Sequence, residues 1–308
     1  MKHIGLDLVR VTEGAAIAAS AWIGSGNKLL ADRDATEAMR RRLNSMDFKG
    51  IIRIGEGKKD ESYGLFKGEE VGNLPDLSSP PKIYDIGVDP IDGTRPTVTS
   101  GPEATSVLAI SEEGTMFDTE EHYMLKLAVG PHFQDAGSWH RLNFAESLPD
   151  MCKFVANVMG KPIDKLMVCI LDRPRHQWYI DQMRELGVRI KLIQDCDISG
   201  AIATCLPDGG IDMQFGVGGA PEAAITAAAM KCLGGYFIAQ LWKDGNLIGP
   251  QMDRDDLVKG PCAFAATGIT EGSLLEGVRW TSKGPITHSV FMRSESRTVR
   301  WLETNHGN

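Results

Sequence analysis

The sequence predicts an α/β fold, and three observations carry that prediction. Between 166 and 233 an apolar run, a charged or glycine-rich loop and an amphipathic helical pattern follow one another three times. That rhythm builds a mostly parallel sheet with helices packed on it. Between 51 and 94 two further apolar runs each end in an acidic turn. The third observation is composition: 42% apolar and 24% charged residues over 308 positions are ordinary for a globular enzyme with a large core.

Taken in order, Leu6, Val9, Ala16, Ile17, Ala19 and Trp22 mark the apolar face of a helix over 6–23, ended by Gly24 and Gly26. A polar helix follows over 34–43, with Asp32 or Asp34 available as a plain N-cap. A strand at 51–54 leads into Gly55-Glu56-Gly57 and then Asp60 and Glu61, and a proline-rich loop occupies 74–81. The strand at 83–88 ends in Asp89-Pro90-Ile91-Asp92-Gly93-Thr94, read as a tight turn. Further strands are expected at 106–111, paired through the turn at Glu113 and Gly114, and at 124–129.

The second half supplies the repeated units. Strands at 166–171, 188–193 and 211–215 precede Asp172 to His176, Asp195-Cys196-Asp197 and Gly216 to Glu222 respectively. Helices follow each loop, ending at Gly187, near Leu206 and at Leu233, where Gly234 and Gly235 stop the chain and Pro221 suits a first turn. Ligands of such sheets collect beyond the carboxyl ends of strands. Residues 241–260 read as a loop or short edge elements, and 290–292 and 298–301 as strands. The change of rhythm near 145–160 suggests two parts, 1–150 and 151–308.

The formal charge of −8 excludes a general nucleic-acid footprint. Cys152, Cys169, Cys196, Cys205, Cys232 and Cys262 form no C-x-x-C pair and read as reduced structural thiols. The first residues lack a signal-peptide core and no apolar run reaches the length of a membrane span, so a cytoplasmic protein is expected.

Asp89 to Thr94 places two carboxylates and a hydroxyl at one strand end, with Gly93 permitting close backbone approach. If Asp32, Glu56, Asp89, Asp92 and Glu222 converge, their repulsion calls for cations, and an all-oxygen set favours Mg²⁺ or Mn²⁺ over Zn²⁺. Each acid taken alone is better explained as a cap or solvated turn residue, but the six-residue motif after an apolar strand is not. The glycines at 216, 218 and 219 can present amides to a phosphate or simply make a tight turn. Arg173 and Arg175 can hold a phosphate or be solvated charge, and Asp195 and Asp197 can bind sugar hydroxyls or cap a helix. Lys28 can pair with an acid or be an ordinary loop lysine; composition leaves His176 and Tyr123 unassigned. No G-x-S-x-G, P-loop or zinc-hydrolase motif supports covalent or zinc chemistry.

The motif at Asp89 to Thr94 resembles the signature of the lithium-sensitive, metal-dependent phosphatases that include inositol monophosphatases and fructose-1,6-bisphosphatases. The wider pattern is similar to the class II fructose-1,6-bisphosphatases. It comprises Arg10 to Glu13, Trp22 to Gly24, Lys28, Asp32, Glu37 to Arg40, Ile54 to Gly57, Asp89 to Arg95, Tyr123-Met124, Val129 to Pro131, Arg173 to His176, Gly218 to Glu222 and Thr267 to Thr270. The resemblance implies a layered α-β-α-β-α sandwich and a metal-dependent sugar bisphosphatase with two or more Mg²⁺ or Mn²⁺ ions. It implies that Asp32 and Glu56 hold one metal, and Asp89, Asp92 and Glu222 a second. Thr94 would orient the phosphate or water, Asp60 would support the water, and Lys28 would sit beside the acids. Substrate contacts would come from Asp92, Gly93, Thr94, Tyr123, Arg173, Pro174, Arg175, Asp195, Cys196, Asp197 and Gly219. A homo-oligomer, dimer or tetramer, is also implied. Hydrolysis of fructose 1,6-bisphosphate is the leading expectation, with a dual fructose/sedoheptulose bisphosphatase or a silent sugar-phosphate regulator as alternatives. Three departures stand out: Cys196 replaces the glycine of an Asp-Gly-Asp loop, 240–261 is shorter than in many relatives, and Asp92 replaces Glu.

Overall fold

The computed structural model describes residues 4–57, 63–73, 82–119, 122–135 and 141–307. The chain opens with α1 (Gly5–Ser20), α2 (Lys28–Leu43), β1 (Lys49–Ile54), β2 (Glu70–Val71), β3 (Ile83–Asp92), α3 (Thr94–Thr99) and β4 (Thr105–Glu112). It continues through β5 (Tyr123–Val129), α4 (His132–Asp135), α5 (Leu148–Val158), β6 (Met167–Leu171), α6 (Gln177–Glu185), β7 (Arg189–Ile193) and α7 (Asp197–Ala203). Next come β8 (Met213–Gly219), α8 (Ala220–Leu233), β9 (Tyr236–Lys243), β10 (Asn246–Asp253) and α9 (Arg254–Leu257). β11 (Cys262–Gly268), β12 (Arg279–Thr281), β13 (Gly284–Arg293) and β14 (Thr298–Asn305) end it.

Two compact units result, Met1–Asp118 with Val258–Asn308, and Thr119–Leu257. This differs from a division near residue 150, and the reason is a non-local pairing. β11 runs antiparallel to β4, Ala265 opposite Leu108, which returns the last fifty residues to the first unit. The shift of rhythm near 145–160 only marks the approach to α5.

In the first unit, one sheet has the order β12-β13-β11-β4-β3-β1-β2, with β14 paired to β13. Among the described residues, β1 and β3 pair in parallel and the other neighbours are antiparallel. α1 forms because its alanines and aliphatics recur at helical spacing. It buries Leu8, Val11, Ala15 and Ala19 in one core with Ala31, Ala35 and Met39 of α2 and with Ile86, Leu108 and Ala265 of the sheet. The turn at Glu113 and Gly114 does not form a hairpin with β4; it leads to an isolated bridge between Met116 and Val258.

The second sheet has the order β10-β9-β5-β8-β6-β7. β6 pairs in parallel with β7 and β8, whereas β5 is antiparallel to β8 and β9. The expected parallel core is therefore real, but antiparallel strands extend it into a mixed sheet. Leu125, Leu127 and Val129 of β5 join Val168, Phe215 and Met151 in one core with α5 and α6. Alternation along a strand turns Met124, Lys126 and Ala128 to the opposite face. Residues 241–260 hold the end of β9, the edge strand β10, whose register against β9 shifts between Ile248 and Met252, and α9. The proline-rich stretch 74–81 lies outside the described residues.

No disulfide joins the six cysteines. Burial pushes the thiols of Cys152 and Cys205 up to about 12, which leaves them inert and suits a packing role. Among the described residues, no helix is long and apolar enough to cross a membrane.

The first unit also seals an acid that no sequence motif singles out. Asp85 on β3 is fully buried and accepts from Arg53 Nε at 2.7 Å and from the backbone N–H groups of Thr115 at 2.8 Å and Met116 at 3.1 Å. It ties β1, β3 and the segment after β4 together. Asp85→Ala would strand those donors, and urea unfolding should find the chain about 3 kcal/mol less stable. A loss below about 1 kcal/mol would contradict this structural role.

Candidate active site

Both units carry their predicted residues at the carboxyl ends of parallel strands. In the first, Ile54 of β1 lies opposite Gly87 of β3, so the Glu56 turn and the Asp89–Asp92 segment leave neighbouring strands. Gly55 is required at this turn, because a Cβ there would collide with the Leu65 carbonyl oxygen. That oxygen accepts the Glu56 N–H at 2.9 Å. Leu65 in turn donates its N–H to Glu69, which Arg40 holds in an ion pair. The Arg40–Glu69 pair thus fixes the turn that presents Glu56.

The acidic motif itself is not a turn, since β3 runs through Asp92. Its register against β4 slips: Asp89 lies opposite Val107 and Asp92 opposite Thr105. Three steps on one strand match two on the other, so this bulge brings Asp89 and Asp92 to one face of the sheet. Asp89 Oδ1 accepts the Ile91 N–H at 3.0 Å, and Gly93, at φ +102°, reverses the chain into α3. Thr94 follows immediately and donates its hydroxyl to Asp32 Oδ1 at 2.8 Å.

Asp32 and Asp34 are not helix caps. Asn27 caps α2, accepting the Leu30 N–H at 3.2 Å, so the helix starts at Lys28. Asp34 receives the Trp22 indole N–H at 2.9 Å instead. Lys28 and Asp32 are then one turn apart on the same helix face. Burial raises the Asp32 carboxyl above its ordinary range, while the Thr94 hydrogen bond and the Lys28 charge oppose that shift. Asp60 lies outside the described residues.

In the second unit the segments after β6 and β7 carry Arg173, Pro174, Arg175, Asp195, Cys196 and Asp197, while β8 ends at Gly219 and β5 begins opposite it with Tyr123. Arg173 is extended, as the residue before a proline must be, and pairs with Asp195. The β6–β8 pairing stops at Gln214, and side chains take over the ladder beyond it. His176 Nε2 accepts the Val217 N–H at 2.8 Å, and Arg175 donates Nε and Nη2 to the Val217 carbonyl at 3.1 and 2.8 Å. Arg175 also lies over the Tyr123 ring, 5.1 Å from its centroid.

The glycines at 216, 218 and 219 do not form a phosphate loop. They belong to β8, opposite Lys126, Met124 and Tyr123 of β5. Two of them make room for acids: a Cβ at Gly218 would collide with Asp197 Oδ2, and one at Gly219 with the Glu222 carboxylate. Asp197 is no cap either, because its Oδ2 accepts from Lys126 Nζ at 2.9 Å. Lys126 is the residue that sequence reasoning missed. A lysine within an otherwise apolar run, 124–129, was the available signal.

Among the described residues, no three His, Cys, Asp or Glu side chains gather in a geometry that holds a metal ion. Asp32 engages Thr94, and Asp197 engages Lys126. The donor chemistry nonetheless fits hard cations, because every candidate is a carboxylate. Glu222 supports that fit most directly. Its Oε2 is buried without a hydrogen bond, and burial raises its carboxyl against the lowering effect of the Lys126 charge. A buried carboxylate lacking a donor is held most cheaply by a cation or a proton.

The chain matches the family described as "Bacterial fructose-1,6-bisphosphatase, glpX-encoded" over residues 2–306. It is 38% identical over 335 aligned positions to the D-fructose 1,6-bisphosphatase class 2/sedoheptulose 1,7-bisphosphatase of Microcystis aeruginosa, covering 98% of this chain and 96% of that protein. Proteins of the same name from Synechococcus elongatus and a Synechococcus sp. are each 38% identical over 337 positions, covering 99% of this chain and 96% of theirs.

His176 gives the second unit a defined response to acid. Because Nε2 accepts from Val217, the proton sits on Nδ1 and is donated to the Leu171 carbonyl at 2.7 Å. Burial, aided by the charges of Arg175 and Arg173, lowers its pKa from 6.5 despite the Leu171 bond. The unfolded imidazole takes up a proton below that ordinary value while the folded one resists. Its contribution is therefore complete above about pH 6.5 and is lost as pH falls toward the depressed folded pKa. Urea midpoints should fall from pH 7.5 to 5.5 more steeply for the natural chain than for His176→Gln. Equal slopes would refute the neutral, buried assignment.

Proposed function

The chain belongs to the bacterial class II fructose-1,6-bisphosphatase family, and we propose that it removes the 1-phosphate of fructose 1,6-bisphosphate to give fructose 6-phosphate and phosphate. It is a phosphoric monoester hydrolase of a metal-dependent family. The observation that carries the reading is the hydrogen bond from Thr94 to Asp32 beside the Asp89–Asp92 strand end. With its hydrogen committed to Asp32, the Thr94 oxygen keeps lone pairs that can accept from an attacking water. Asp32 fixes that orientation, and Lys28 adds positive charge one helical turn away.

Asp32, Glu56, Asp89, Asp92 and Glu222 are the residues that would hold Mg²⁺ or Mn²⁺. Bound there, the cations neutralise carboxylate and phosphate charge and make water a better nucleophile. Asp60 supports that water in this reading. Arg173 and Arg175 bind the phosphate that does not react, each having guanidinium N–H groups beyond those committed to Asp195 and Val217. Tyr123, Asp195 and Asp197 face the sugar, with Cys196 and Gly219 shaping the backbone around it. Since water is the nucleophile, no phosphoenzyme forms.

This activity fits a cytoplasmic enzyme of gluconeogenesis working as a homo-oligomer, dimer or tetramer. A second reading, acceptance of sedoheptulose 1,7-bisphosphate at the same residues, draws support from the names of the three relatives. One extra carbon in an open polar site is a weak basis for rejection. Comparing kcat/KM for the two bisphosphates with each metal separates the readings.

Asp89→Asn should lower turnover by roughly a hundredfold or more while the urea midpoint stays near that of the natural chain. Near-normal phosphate release would remove Asp89 from the site. Arg175→Ala should raise KM roughly tenfold with kcat little changed. It should also destabilise the chain modestly, because the Val217 carbonyl loses both donors. A fall confined to kcat would contradict the proposed contact with the distant phosphate.

A further inference from the structure

Lys126 is 1% exposed, and the chemistry above uses it only as a charge near Glu222. Two elements deliver its partner. β5 turns Lys126 away from the α5–α6 core, and α7 begins at Asp197 directly after β7. Their ion pair is 2.9 Å long, with both side chains nearly sealed from water. Gly218 completes the arrangement: a Cβ there would lie 3.0 Å from Lys126 Nζ and would overlap Asp197 Oδ2. The strand gives up a side chain so that ammonium and carboxylate can meet.

Stability alone does not account for such a pair. Buried ion pairs return little beyond their own desolvation, and well-packed apolar residues often serve as well. What the pair does provide is direction. Lys126 engages Oδ2 and leaves Oδ1 outside the pair, on a side chain that keeps 8% of its surface exposed. An ammonium has donors only, so Asp197 beside it stays an acceptor. The carboxylate is thereby held with one oxygen anchored and one offered at the end of the sheet where Arg173, Arg175 and Tyr123 lie.

We infer that Lys126 is a positioning residue that fixes Asp197 as a hydrogen-bond acceptor for a hydroxyl of the sugar chain. The inference rests on the sugar-phosphatase reading and deepens it, since it assigns polyol recognition to a Lys–Asp pair. Lys126 does not touch the substrate; it acts through Asp197.

Calorimetric titration of the full chain with fructose 6-phosphate tests this without requiring turnover. Lys126→Met and Asp197→Asn should each weaken binding roughly tenfold, while the affinity for inorganic phosphate stays within twofold or so. The double variant should bind no worse than Asp197→Asn, because Lys126 works only through that carboxylate. Should Lys126→Met fold poorly, the double variant still decides, since it removes both buried charges together. Unchanged binding in Lys126→Met overturns the inference. So does a double variant roughly tenfold weaker than Asp197→Asn. Phosphate release by the natural chain is measured separately: its absence would refute the phosphatase reading, while the binding series would still judge the role of Lys126.

Discussion

A carboxylate withdrawn from water must be given a cation, a donor or a proton, and the acids of this chain differ in which they receive. Asp85 receives an arginine and two backbone amides, which satisfies it completely and makes it a structural tie. Asp195 receives Arg173 and Asp197 receives Lys126, each on one oxygen. Among the described residues, Asp32 receives the hydroxyl of Thr94, and Glu222 leaves a buried oxygen without a hydrogen bond, as Asp195 does. What each acid receives sets Asp85, fully satisfied, apart from Asp195 and Glu222, each of which keeps a buried oxygen without a hydrogen bond among the described residues. Sequence position alone would not have drawn that distinction.

Meeting these needs takes space, and glycine supplies it. Gly55, Gly218 and Gly219 stand where a methyl group would overlap a carbonyl or a carboxylate. Gly93 is different, because its positive φ turns β3 into α3 and puts Thr94 within reach of Asp32. Both uses have the same consequence: polar groups from separate elements come within hydrogen-bonding distance without a side chain between them.

This is also why the sequence was legible in part. Apolar runs located most strands, and the acidic and basic clusters at their ends lay where an α/β fold puts ligands, as for Arg173 to Arg175 and Asp195 to Asp197. The bulge between Asp89 and Asp92 was hidden, because a six-residue acidic stretch with proline and glycine reads as a turn. The Gly216–Gly219 segment was misread for the same reason: local composition cannot reveal that β5 pairs with it. The return of β11 to β4 depends on residues more than 150 positions apart, beyond any local pattern. Lys126 needed knowledge of which strand face meets α7.

Cys196 draws these constraints to one point. Its φ of +67° lies in the left-handed region, where a non-glycine residue costs about 1–2 kcal/mol. The side chain is buried, and its packing offsets part of that strain. The strained backbone separates two acids that must reach different cations, Asp195 toward Arg173 and Asp197 toward Lys126. An extended residue at 196 would also separate them, but it would not start α7 at Asp197. The left-handed step does both, reversing the chain and opening the helix in one residue. A glycine would make the same left-handed step from β7 into α7 without strain.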